Sequence, residues 1–100
     1  MKKLLYILAM IVTLNCSAYT HSGSPTASGI MPYVGICAVD KINGKAVPFG
    51  TKIVLPDGRM LIVADRFGGN YNNRLDVFME TEGECWEFGR RWLRCKVELP

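Results

Sequence analysis

The sequence has a single histidine, His21, and no Cys-x-x-Cys pair. It therefore lacks the closely spaced ligand sets from which structural zinc sites are made. No apolar run is long enough to span a bilayer as a helix. The longest, Leu4 to Leu14, covers eleven residues and is broken only by Thr13, whereas a transmembrane helix needs about 20. Little charge is left in excess: 12 basic and nine acidic side chains give a formal net charge of +3, and two of the basic ones are Lys2 and Lys3. That balance offers no concentrated basic patch for nucleic acid. With 10 glycines and five prolines against 49% hydrophobic residues, a disordered or low-complexity chain is excluded. One hundred residues leave room for one compact domain and not two, and no internal repeat divides them.

What is present begins with the N-terminus. Met1-Lys2-Lys3, the apolar run and Asn15-Cys16-Ser17-Ala18 follow the pattern of a secretory signal: a basic start, a short apolar stretch and small residues at the cut. The expectation is a signal peptide over residues 1–18, cleaved after Ala18, and a periplasmic or extracellular domain over residues 19–100. No stable membrane insertion is expected after cleavage. Asn15 before Cys16 fits poorly with lipid attachment at that cysteine. The remaining part would carry ten basic and nine acidic side chains, a net charge of +1. Of the cysteines, Cys37, Cys85 and Cys95 would remain, enough for at most one internal bridge. Cys95, on one face with Leu93, Val97 and Leu99, reads as a core residue. His21 reads as a solvated loop residue, and Arg90, Arg91, Arg94 and Lys96 as one solvated face of a terminal strand.

The remainder reads as short strands. Lys52 to Leu55 and Met60 to Ala64 flank Pro56-Asp57-Gly58-Arg59, a hairpin signal because glycine tolerates positive φ in a tight turn. Tyr33 to Val39 and Leu75 to Met79 are further apolar runs, and Trp92 to Leu99 alternates. Only Glu82 to Phe88 reads as helix, with Thr81 as N-cap, acidic residues in the first turn and Gly89 as its stop. Several short strands with one small helix suggest a compact all-β barrel that buries its core by closure.

Three aspartates stand against apolar runs. Asp40 follows Ile36-Cys37-Ala38-Val39, Asp65 follows Leu61-Ile62-Val63-Ala64, and Asp76 is enclosed by Leu75 and Val77-Phe78. Carboxylates there lose hydration, and a raised pKa suits a general acid. The bland alternative is that they cap turns. Gly68-Gly69-Asn70-Tyr71-Asn72-Asn73 has a composition that permits close approach of backbone to a ligand, or a plain surface turn. Tyr33, Phe49, Tyr71, Trp86 and Trp92 could stack on sugars, although most of them read as core.

The ordered set Tyr19-Thr20, Thr26-Ala27-Ser28-Gly29, Gly35 with Ala38-Val39-Asp40, Pro48-Phe49-Gly50-Thr51, Ala64-Asp65, Asn73 to Phe78 and Glu84 through Phe88-Gly89-Arg90-Arg91 resembles the three-aspartate (3D) domain family. That family includes stationary-phase survival proteins and the barrel of membrane-bound lytic transglycosylase A. The resemblance spans residues 19–100. It implies a small six-stranded double-psi β-barrel with one short helix, and exported lytic cleavage of peptidoglycan between N-acetylmuramic acid and N-acetylglucosamine, with no cofactor and no metal. It further implies Asp76 as general acid and base, Asp65 and Asp40 as tuning or charge-stabilising partners, and Thr26, Ser28, Gly68, Gly69, Asn73 and Arg74 as contacts to the glycan strand. Two departures stand out. Arg66-Phe67 displaces the glycine pair after Asp65 and the usual lysine is missing, and the Asp40–Pro48 segment is longer, with Asn43-Gly44 marking an outward turn. Competing expectations are a non-catalytic glycan-binding or wall-loosening barrel similar to expansins and rare lipoprotein A, an inhibitor or interaction module, and a calcium site made by the aspartates.

Overall fold

The computed structural model describes residues 9–100. Ala9–Tyr19 forms strand β1, Ile36–Ala38 β2, Lys41–Ile42 β3, Lys45–Ala46 β4, Lys52–Val54 β5, Met60–Asp65 β6, Arg74–Phe78 β7, Glu82–Phe88 helix α1 and Arg91–Glu98 β8. Six of these close into a barrel in the order β1-β7-β2-β6-β5-β8. The β1–β7 and β2–β6 contacts are parallel and the other four antiparallel. The described residues form a small, closed, six-stranded mixed β-barrel with one short helix, an arrangement compatible with a double-psi barrel.

Local chemistry explains several elements. β5 and β6 pair antiparallel with Val54 opposite Met60, and the Asp57-Gly58 turn joins them, with Gly58 at φ 94°. α1 begins at a reciprocal capping box: Thr81 accepts from the Glu84 N–H, and the Glu84 side chain accepts from the Thr81 N–H. Asn43 and Gly44, at φ 51° and 79°, turn the outward β3–β4 hairpin as a mirror-image turn requires.

Residues 1–8 lie outside the described part, but residues 9–18, expected to belong to a removed signal, form most of β1. From Val12 to Ser17 apolar and polar residues alternate. Val12, Leu14 and Cys16 point into the barrel and are buried, whereas Thr13, Asn15 and Ser17 point outward. β1 supplies the contact that joins β7 to β8. A chain cut after Ala18 would lack this strand, leaving β7 and β8 with unpaired edges. Among the described residues, no helix is long and apolar enough to cross a membrane.

The barrel interior gathers Leu14, Val39, Ile53, Val63, Leu75 and Val97 among others. Cys16, Cys37 and Cys95 are buried there, Cys85 is half-buried on α1, and all four thiols are free. Cys95 thus has the core role expected for it. A second, smaller cluster of Ile36, Ala64 and Phe78, with Tyr19 against it, lies on the outer side of the wall. The expectation that most aromatics are core is corrected. Trp86 is 84% exposed and Trp92 68%, and Tyr33, Phe49 and Tyr71 also reach solvent.

Candidate active site

Register brings two of the three aspartates into one row. Asp65 on β6 is the partner of Ala38 on β2, Ala38 is the partner of Asp76 on β7, and Asp76 is the partner of Ser17 on β1. A register shift between Cys37 and Ala38 produces this row. Without it the alternation after buried Val63 would turn Asp65 into the barrel; a bulge re-aims it outward. The two aspartates therefore stand two strands apart, about 10 Å between Cα atoms, with Ala38 between them in the register.

β1 holds both from the same face. The Ser17 hydroxyl donates to Asp76 Oδ1 at 2.8 Å, and the Tyr19 hydroxyl donates to Asp65 Oδ2 at 2.9 Å. The other Asp65 oxygen accepts from the Ala27 and Arg66 N–H groups, each at 2.8 Å. Burial raises the Asp76 pKa; the Ser17 hydrogen bond and the Arg74 and Arg90 charges oppose this, the Asp65 charge adds to it, and the net direction is upward. Burial, reinforced by the hydrogen bond to Asp65, also pushes the Tyr19 phenol up, so it remains a protonated donor.

Asp40 is placed differently. It is buried, and its two oxygens accept from the N–H groups of Phe67, Gly68, Gly69 and Tyr71 at 2.8–3.4 Å. Burial acts to raise its pKa, but the donors, Tyr71 and Phe67 foremost, outweigh it and hold the carboxyl below its ordinary value. The glycine-rich loop does approach an anion closely, as its composition permits, and that anion is Asp40. A Cβ on Gly69 would lie 2.7 Å from the Tyr71 ring, so a side chain there would displace that ring. The loop in turn carries Phe67 and Tyr71, whose rings lie 5.0 and 5.3 Å from the Arg74 guanidinium. Asp40 thus bears on Asp76 indirectly, through the loop and Arg74.

The other expected contacts are engaged locally. Thr26 Oγ1 donates to the Ile30 carbonyl at 2.8 Å and lies 2.9 Å from Ser28 Oγ. Together they shape the turn that presents the Ala27 N–H to Asp65. Gly68 and Gly69 serve Asp40 through their backbone. Asn73, at φ 57°, accepts from the Asn43 N–H at 2.7 Å and ties the β3–β4 hairpin to β7. Arg74 alone among them faces Asp76 with a charge. His21 is exposed and lies 2.9 Å from Glu80. Among the described residues no three His, Cys, Asp or Glu side chains gather as a metal site would require.

Sequence reasoning missed Ser17 and Tyr19 as holders of the aspartates, and Arg90 as a nearby charge. The alternation from Val12 to Ser17 was the available signal for β1, hidden inside an apolar run. Cavities of about 550 and 340 Å³ lie beside α1. Neither is lined by Asp65 or Asp76; both aspartates are half-buried in the barrel wall. No protein-family model matches the chain, and no curated protein matches it.

Proposed function

We propose that the chain is a peptidoglycan lytic transglycosylase of the three-aspartate, double-psi type, with Asp76 as its acid and base. The observation that carries this reading is the pair of outward aspartates separated by Ala38, one with a raised pKa and the other fixed by three donors. Protonated Asp76 gives its proton to the glycosidic oxygen between N-acetylmuramic acid and N-acetylglucosamine. The C1–O bond breaks, and positive charge develops on the muramic ring. Asp65, held in place by its three donors, stabilises that charge. The muramic 6-hydroxyl then attacks C1 and returns a proton to Asp76, so no water is consumed. One carboxyl thereby serves twice, where a glycosidase uses a pair. Arg74 and Arg90 keep the Asp76 pKa from climbing further, and Asp40 is a positioning residue for Arg74.

Export remains part of the proposal and rests on the basic, apolar N-terminus. Because Ser17 holds Asp76, the active form keeps β1, which a cut after Ala18 would remove. A second reading, a glycan-binding barrel without catalysis, draws on the exposed Trp86 and Trp92. Incubating the full chain with purified sacculi separates the two. The proposal predicts release of soluble muropeptides by the wild type and loss of at least 100-fold in Asp76→Asn, the lower range for removing a general acid. Binding without release at any pH would favour the second reading.

A further inference from the structure

Trp92 is a large apolar side chain with no packing role that would account for it. It is 68% exposed on β8, where it is the register partner of Asn15 on β1, and Asn15 is the partner of Arg74 on β7. The next rung of the same outward face is Ser17 and Asp76. Strand spacing and rise place the Cα atoms of Trp92 and Asp76 about 12 Å apart. The face between them is polar, formed by the half-buried Asn15 and Ser17, and the Asn15 Oδ1 is buried there without a hydrogen-bond partner. Arg94, one rung further along β8 beside Thr13, is exposed as well. Among the described residues, Arg74, Arg90 and Arg94 form no ion pair with an acid. An exposed indole with Arg94 beside it on the same strand face matches a ligand with flat apolar ring faces and negative substituents.

We infer that Trp92 is a sugar-stacking subsite for an acidic glycan strand that runs across β8, β1 and β7 toward Asp76. The indole covers the apolar face of a pyranose ring, and Arg94 meets a carboxylate that the strand carries. This rests on the proposed glycan reading of Asp76, and the test keeps the two apart. Full-chain Asp76→Asn, which would hold the glycan without cutting it, is sedimented with purified sacculi, alone and combined with Trp92→Ala or Trp92→Phe. Trp92→Ala is expected to weaken binding about three- to tenfold, in line with the worth of one aromatic stacking contact, and Trp92→Phe to keep most of it. Because the residue is exposed, both variants should melt within about 2 °C of the parent. Unchanged binding in Trp92→Ala would overturn the inference while leaving the Asp76 reading intact. Wild-type chain that yields no cleavage products, with Trp92→Ala still weakening binding, would sink the catalytic reading and support the subsite. Absence of any sedimentation would overturn both.

Discussion

Asp76 loses more hydration on folding than Ser17, Arg74 and Arg90 restore, and that imbalance has a measurable consequence for stability. The folded chain holds the Asp76 proton more tightly than the unfolded chain does. The contribution of this group to stability is therefore present at low pH and declines as pH rises from the ordinary carboxylate range through its raised folded value. Asp76→Asn has no such proton to lose. Urea denaturation across pH should show the variant gaining on the wild type as pH rises through that window, with the difference levelling off above it; a constant difference would contradict the raised pKa. Asp40 has the opposite sign. Its pKa is lowered, so its stabilisation is present at neutral pH and lost as pH falls through its folded value. Asp40→Ala leaves the donors of Phe67, Gly68, Gly69 and Tyr71 without their shared acceptor, at a cost of about 2–4 kcal/mol at neutral pH. The midpoint of denaturation would report it, and a change below about 0.5 kcal/mol would show that the loop does not depend on this carboxylate.

At the scale of elements, the strand and helix signals were clear where local chemistry dictates them. The Asp57-Gly58 hairpin, the Thr81-capped helix ending before Gly89 and the outward Asn43-Gly44 turn all stand where turn and cap residues place them. β1 was not legible in the same way. A basic start followed by apolar residues is the pattern of an export signal, and that overall hydropathy obscured the two-residue alternation from Val12 to Ser17. What decides the structural role of these residues is pairing with β7 and β8, which are distant in sequence. Leu14 makes the element testable. It is fully buried in the barrel, so Leu14→Ala should destabilise the purified protein by about 2–5 kcal/mol. If residues 1–18 were absent from the folded molecule, the substitution would leave its stability unchanged, and N-terminal sequencing of the same material would show the missing segment.

For the whole molecule, composition and strand spacing led to a closed all-β barrel, but residues 19–100 alone supply only five of its six wall strands; the sixth is β1. The candidate site was partly legible for the same reason. Asp76 and Asp65 could be singled out because a carboxylate beside an apolar run is costly. Their meeting across Ala38 depends on strand order and a register shift, which no local pattern records. Asp40 looked equivalent to them in sequence and differs because the 67–71 loop folds back onto it. Most of the five aromatics Tyr33, Phe49, Tyr71, Trp86 and Trp92 looked like core, yet the interior is already filled by aliphatic side chains and cysteines. The account as a whole turns on whether Asp76 drives intramolecular cleavage of a glycan. Mass spectrometry of the muropeptides released from sacculi by the full-length wild type tests this most directly, because a 1,6-anhydro end is lighter by one water than a hydrolysed end. The account predicts anhydro ends from the wild type and none from folded Asp76→Asn; intact sacculi, or hydrolysed ends alone, would contradict it.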